Sequence, residues 1–309
     1  MEEQGSPIWI DGKLVDWADA SVHFVSNSFQ YGFGVFEGIR AYDGEQGTSI
    51  FRLDAHIDRL FKSAKIIGLD IPYTRETIVE ACRETVAASG HSQCYLRPVA
   101  YIGYGGMGLN YTGCKVSVGI AVWFWGEYLG QGKLEQGTRV KTSSYTRHHI
   151  NSNMSKAKAC GNYMLFQMAR TDALRGGYDE ALLLDAEGHV AEGSVENVFI
   201  VRDGQLITPP LTYILDGITR DSIIQLARGA GLVVREEFFT RDAMYIADEA
   251  FFVGTGAEVT PVVALDDRPI GQGVPGPVTR RLQSLYFDAV RGRDERYAHW
   301  VTPVAGVPA

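Results

Sequence analysis

Ser155-Lys156-Ala157-Lys158-Ala159-Cys160-Gly161-Asn162-Tyr163 is the stretch on which the reading of this chain turns. Ala157, Ala159 and Gly161 are small and leave room for Lys158 to approach something bulky. Downstream, in order, stand Glu192-Gly193-Ser194-Val195-Glu196-Asn197, Leu215-Asp216-Gly217-Ile218-Thr219-Arg220 and Gly254-Thr255-Gly256-Ala257-Glu258. An amine, an isolated carboxylate and two Gly/Thr turns are the parts needed to hold pyridoxal 5′-phosphate (PLP). The amine condenses with the aldehyde, the carboxylate keeps a proton on the ring nitrogen, and the turns offer N–H and hydroxyl donors to the phosphate. Each cluster alone has a plainer reading. A lone lysine is usually a solvated helix residue, Glu192 could be a turn glutamate, Thr219 could merely cap its own helix, and residues 254–257 could be only a turn. Their company in one chain favours an enzyme over a binding module.

Outward from Lys158, the pattern predicts a helix from about residue 156 to 174, with Ala159, Tyr163, Phe166 and Ala173 roughly on one face and a stop at Gly176-Gly177. On such a helix Lys156 points to another side and is read as solvated. Toward the C-terminus, Ala181–Leu184 reads as a buried strand, and Val198–Val201 and Leu206-Ile207 flank the hairpin signal Asp203-Gly204. Glu196, beside that alternating strand, reads as a buried structural carboxylate. Thr219 is placed as a helix cap, Phe251–Val253 as a short strand, and Pro277 at the first position of a helix. Toward the N-terminus, Gly126–Gly132 is a Gly-rich linker. Val116, Val118, Ile120, Val122 and Phe124 alternate as a strand, helices are expected over 54–69 and from Thr74 to Gly90, and Asp11-Gly12 marks a hairpin.

The fold class expected is mixed α/β (α+β) in two domains: a small N-terminal domain over 1–124, a linker over 125–135 and a larger C-terminal, cofactor-binding domain over 136–309. With 309 residues, 45% of them hydrophobic, each half can bury its own core. The polar stretch from Arg291 onward, with a lone Trp300, reads as a loosely packed tail. No apolar run approaches the ~20 residues that span a bilayer, and the N-terminus lacks the features of a signal peptide. A cytoplasmic, soluble protein is expected. A net charge of −8 argues against nucleic acid or anionic membrane as a partner. Four cysteines without Cys-x-x-Cys spacing read as reduced core residues, and seven histidines without a ligand motif argue against a metal site. Gly103-Tyr104-Gly105-Gly106-Met107-Gly108 matches a dinucleotide fingerprint, but loop rather than helix follows it, so it reads as a substrate-facing loop.

Taken together, the chain resembles the fold-type-IV PLP enzymes, and within them the branched-chain amino acid aminotransferases, from Ile8 to about Asp288. The marks are Tyr31-Gly32, Val35-Phe36-Glu37-Gly38-Ile39-Arg40, Phe51-Arg52, Arg59-Leu60, Tyr95-Leu96-Arg97-Pro98, Gly106-Met107-Gly108-Leu109-Asn110, and the clusters around Lys158, Glu192, Gly217 and Gly254. The resemblance implies that Lys158 is the Schiff-base lysine. Glu192 would meet the ring nitrogen and Tyr163 the phenolic oxygen. Leu215 would pack on the ring, and Arg59, Ile218, Thr219 and Thr255 would hold the phosphate. Phe36, Gly38, Trp125 and Tyr128 would shape an apolar pocket. Tyr95 and the amides near Gly256 and Ala257 would take the substrate α-carboxylate, and Arg97 the distal carboxylate of glutamate. Tyr31, Met107 and Leu109 would reach in from a second copy, implying at least a homodimer, with a hexamer as a larger option.

The activity so implied is transamination of leucine, isoleucine and valine with 2-oxoglutarate. Two departures bear on substrate preference: Val195 stands where many members carry a small residue, and Asp216 where proline is frequent. The rival readings are a fold-type-IV aminotransferase acting on D-amino acids or (R)-amines, a PLP-binding protein without turnover, and a nucleotide-binding oxidoreductase supported only by the glycine match.

Overall fold

The computed structural model describes residues 5–45, 47–106 and 108–306, and these form two compact units. The first unit runs to Trp125, takes in Ala157–Asn162, and resumes at Asp288; the second comprises Gly126–Lys156 and Tyr163–Phe287. The division into contiguous stretches expected from sequence therefore needs correction. The lysine segment and the C-terminal stretch belong with the N-terminal unit, because their backbone bonds are made there.

The first unit begins with β1 (Ile8–Ile10) and β2 (Lys13–Val15), joined as a hairpin by Asp11 and Gly12 at φ +47° and +96°. Both turn positions need positive φ, which explains the Asp-Gly pair. A short helix α1 (Asn27–Tyr31) leads to β3 (Gly34–Phe36), β4 (Ile39–Gly44) and β5 (Gly47–Phe51). Two helices follow, α2 (Leu53–Ile67) and α3 (Arg75–Ser89). The Thr77 N–H donates to Thr74 Oγ1 at 3.2 Å, so Thr74 is the expected cap, and Gly90 ends α3 in the left-handed region. Then β6 (Cys94–Ile102) pairs antiparallel with β7 (Val116–Trp123) from Tyr95↔Trp123 to Ile102↔Val116. The helices bury Leu53, Ile57, Leu60, Ile78 and Val86 against Val35, Ile39, Leu96 and Ile120 of the sheet. Each such side chain contributes about 1.5–3 kcal/mol when fully removed from water.

The lysine segment is extended, not helical. Ala159 bridges Val35 in antiparallel sense. The Phe36 N–H donates to the Lys158 carbonyl at 3.0 Å, and the Lys158 N–H donates to Ser63 Oγ at 3.0 Å. Residues Cys160–Asn162 make one 3-10 turn, and the α-helix starts only at Tyr163. Alanines favour helix locally, but the backbone of β3 and the Ser63 hydroxyl on α2 give this segment other hydrogen-bond partners, which override that preference.

In the second unit, α4 (Lys133–Gln136) precedes β8 (Thr138–Thr142). After α5 (Tyr163–Arg175) come β9 (Glu180–Leu184), β10 (Val190–Gly193), β11 (Asn197–Arg202) and β12 (Gln205–Thr208). Asp203 and Gly204, both at positive φ, turn β11 into β12 as the sequence suggests. The remaining elements are α6 (Ile218–Gly229), β13 (Val234–Glu236), α7 (Arg241–Tyr245), β14 (Glu249–Gly254), β15 (Glu258–Leu265), β16 (Arg268–Pro269) and α8, which opens at Pro277 and runs to Val290. The sheet order is β10-β9-β8-β15-β14-β11-β12-β13, and β10 also pairs with β11 through Glu192↔Asn197. Six strands thus close into a ring, with Glu192 at the seam. Val140, Leu182, Val198, Phe252 and Val262 are among the residues of one core of this unit.

The C-terminal stretch is not loose. β17 (Val301–Pro303) pairs with β5. Trp300 is only 4% exposed, sits edge-on to Phe51 at 5.9 Å, and lies under the Arg52 guanidinium at 4.9 Å. Among the described residues no helix is long and apolar enough to cross a membrane.

Candidate active site

In the first unit the site grows from one stripe of α2. His56, Arg59 and Ser63, spaced by three and four, fall on one helix face, and His56 and Ser63 are buried. Ser63 holds the Lys158 backbone. Arg59 and His56 meet Glu37, which follows β3 and is fully buried. Arg59 grips Glu37 with two parallel bonds, Nε to Oε1 at 2.7 Å and Nη2 to Oε2 at 2.8 Å. Lys158 Nζ stands 5.1 Å from the centre of the Phe36 ring. The Arg97 guanidinium stacks on the same ring at 4.6 Å and also lies over Tyr95 at 5.3 Å and Trp123 at 5.8 Å. It donates to the Tyr95 hydroxyl at 3.1 Å. Trp125 packs edge-on to Tyr95 at 4.5 Å. A side chain at Gly38 would put its Cβ 1.9 Å from the Tyr95 hydroxyl, so glycine is required there.

In the second unit Glu192 is buried and pinned. Its Oε1 accepts from Arg147 Nε at 2.6 Å; its Oε2 accepts from Asn197 Nδ2 at 3.2 Å and from the Leu215 N–H at 3.3 Å. The Arg147 guanidinium lies 4.9 Å over Phe166, and Tyr163 meets Phe166 edge-on at 5.3 Å. Gly217, not Thr219, flanks the start of α6. Thr219 lies buried in the first turn, where backbone N–H groups have no intrahelical partner. A Cβ at Gly217 would stand 1.8 Å from Asn197 Oδ1. Thr255, Gly256 and Ala257 form the turn from β14 to β15, across which Gly254 pairs with Glu258. The Tyr128 ring comes 3.3 Å from where a Cβ on Gly256 would be.

Several expectations need revision. Lys156 is not a solvated lysine: its Nζ pairs with Asp216 at 2.5 Å and donates to the Leu211 carbonyl, which ties down the loop before α6. Tyr31 and Leu109 are 48% and 81% exposed. Met107 lies outside the described residues. Glu196 is buried as expected and accepts from the Val195 N–H at 3.1 Å. Burial pushes its carboxyl well above the usual range, and neighbouring Glu180 adds to that. Sequence reasoning passed over Glu37, His56, Ser63 and Arg147. For His56 and Ser63 a signal existed, namely polar residues on the inward face of an amphipathic helix; Arg147 carried none.

The residues fit the cofactor they were expected to hold. A carboxylate offers about four acceptor sites, and described donors take three on Glu192, which leaves capacity for a ring N–H. The first turn of α6 and the Thr219 hydroxyl suit a phosphate. The amino-transferase class IV family profile matches residues 34–265, and the chain belongs to this family of transferases. It is 52% identical to the branched-chain-amino-acid aminotransferase of Pseudomonas aeruginosa over 98% of this chain and 99% of that one. A branched-chain aminotransferase of Thermoproteus uzoniensis, solved with norvaline, superposes with a TM-score of 0.93 at 47% identity, covering 97% of this chain and 99% of that one. The branched-chain amino acid aminotransferase of Thermobaculum terrenum, solved in its PLP form, gives a TM-score of 0.91 at 36% identity, covering 98% of this chain and 100% of that one.

Proposed function

We propose that the chain uses PLP to transfer the amino group of L-leucine, L-isoleucine or L-valine to 2-oxoglutarate, giving the branched-chain 2-oxo acid and L-glutamate. The observation that carries this reading is the Phe36 ring. The Lys158 amine and the Arg97 guanidinium both face it, so a reactive amine, an apolar surface and a cation share one aromatic cluster. Such a cluster suits leucine by apolar contact and glutamate by its distal carboxylate, the two side chains a single site must accept in turn.

Bound PLP supplies an electron sink for the charge left when the substrate α-proton departs. The Lys158 amine would take that proton from the substrate α-carbon and return it. Glu192 would accept the ring N–H and so favour the protonated ring. Arg59, Ile218, Thr219 and Thr255 would bind the phosphate, Tyr163 would reach the phenolic oxygen and Leu215 would pack on the ring. Tyr95 and the Gly256 and Ala257 amides orient the substrate carboxylate, while Phe36, Gly38, Trp125 and Tyr128 border its side chain. Tyr31, Met107 and Leu109 serve the site of a second copy in at least a homodimer; the exposure of Tyr31 and Leu109 in the single chain supports this role. Cys82, Cys94, Cys114 and Cys160 are free thiols, in keeping with a reducing, cytoplasmic setting.

Half-reactions test the substrate class. L-leucine is expected to bleach the pyridoxal absorbance, and D-alanine and (R)-1-phenylethylamine to leave it unchanged. Inertness to L-leucine with turnover of either competitor would reject the branched-chain assignment. A Lys158→Ala variant should lose at least about a hundredfold in rate; undiminished transamination would show that another lysine acts.

A further inference from the structure

Glu37 has no part in that scheme, yet it is the most completely enclosed acid of the first unit's site. Its side chain has no exposure, and four donors converge on it. Arg59 supplies two, through Nε and Nη2. His56 Nδ1 meets Oε2 at 2.7 Å, and the Gly38 N–H reaches the same oxygen at 3.3 Å. A guanidinium gripped at both Nε and Nη2 by a planar carboxylate cannot turn about its last bond, so the direction of its Nη1 edge is fixed as well. The clamp is itself held, because Glu37 lies in the backbone ladder, its N–H donating to the Pro98 carbonyl at 2.8 Å. The same face of α2 also holds the Lys158 backbone through Ser63. One helix therefore sets both the cation and the amine segment.

We propose that Glu37, with His56 behind it, is a positioning residue that locks the Arg59 guanidinium for the cofactor phosphate without touching the cofactor. The inference rests on the assignment of Arg59 to the phosphate made above. Protonation states agree with it. Burial, the largest single influence, would raise the Glu37 carboxyl, but the charge and hydrogen bonds of Arg59, joined by those of His56, together outweigh it and hold the acid ionised, far below the usual range. Burial lowers the His56 imidazole, and Arg59 and Lys158 add to this against the pull of Glu37. A neutral His56 then gives its Nδ1–H to the carboxylate and leaves the ion pair with Arg59 intact. Stability does not explain the arrangement well, since a buried Glu–Arg pair is often no more stabilising than apolar residues of the same volume.

The test compares PLP with pyridoxal, which lacks the phosphate. Full-chain protein is freed of cofactor and titrated with each, following absorbance and tryptophan fluorescence. Glu37→Gln is expected to weaken PLP by roughly tenfold or more, the scale seen when an outer partner of a metal ligand is removed, and to leave pyridoxal within about twofold. In an Arg59→Gln background the same change should add nothing, because Glu37 acts through Arg59. Circular dichroism checks the fold. If Glu37→Gln does not fold, Glu37→Asp and His56→Gln are measured instead and should lose PLP selectively. Unchanged PLP affinity, equal loss of both ligands, or additivity with Arg59→Gln overturns the proposal. Equal loss of both ligands in Arg59→Gln alone would instead remove Arg59 from the phosphate, a separate failure.

Discussion

Two buried Glu–Arg pairs, one in each unit, are built from the same parts and used in opposite directions. In the first unit Glu37 gives both oxygens to Arg59, and His56 and Gly38 take further capacity, so the carboxylate is spent, and the proposed reading makes the arginine the working end. In the second unit Arg147 reaches Glu192 through Nε alone, and Asn197 and Leu215 use the other oxygen. That carboxylate keeps capacity on Oε1, and the proposed reading makes it the working end. The lesson is that what a buried ion pair can still offer is read from how many donors its carboxylate already accepts.

The contrast can be broken in order of effect. Arg147→Gln leaves Glu192 buried without its cation and should cost about 3–5 kcal/mol in denaturant unfolding; a loss below about 1 kcal/mol would mean that Glu192 does not depend on it. Glu192→Gln should lower kcat by about a hundredfold or more, the scale for removing a group aimed at developing charge, while changing PLP affinity less than Glu37→Gln does. The reverse order in those two measurements would erase the distinction. Gly217→Ala drives a Cβ into Asn197 and should destabilise by about 1–3 kcal/mol, with a loss of rate through the displaced Glu192 partner.

The smallest effect is the sign of pH dependence. Glu37 is lowered from its ordinary value of 4.5, so its contribution is present above that pH and is lost as pH falls through the folded value. His56, lowered from 6.5, acts the same way: the unfolded chain binds its proton first as pH falls below 6.5. Glu196, raised above 4.5, does the opposite, its contribution being lost as pH rises through the folded value. Denaturation midpoints between about pH 2 and 8 should therefore show Glu37→Gln flattening the acid side and Glu196→Gln flattening the other side. Parallel curves for the two variants would refute the pairing of signs.

Much of this was legible in the residues themselves. Asp11-Gly12, Asp203-Gly204, Thr74 and Pro277 each act locally, and each stands where its chemistry predicts. Lys158 and Glu192 were singled out by company. What the sequence hid was partnership at a distance. Glu37 and Arg59, or Arg147 and Glu192, lie far apart in the chain, and no periodicity connects them. The helical reading of residues 156–162 failed for the same reason, since the bonds that hold Lys158 extended come from Phe36 and Ser63. Tyr31 and Leu109, read from the resemblance as serving another copy's site, are exposed side chains in the single chain.

The last described residues carry one practical consequence. The Arg52 N–H donates to the Trp300 carbonyl at 2.6 Å, and Arg52, at φ +52°, is the residue from which α2 departs. Trimming the chain before Trp300, or crowding it with a fused affinity tag, would unseat the root of the helix that bears Arg59. The first symptom of such a preparation would be a colourless eluate from a protein that still runs as folded.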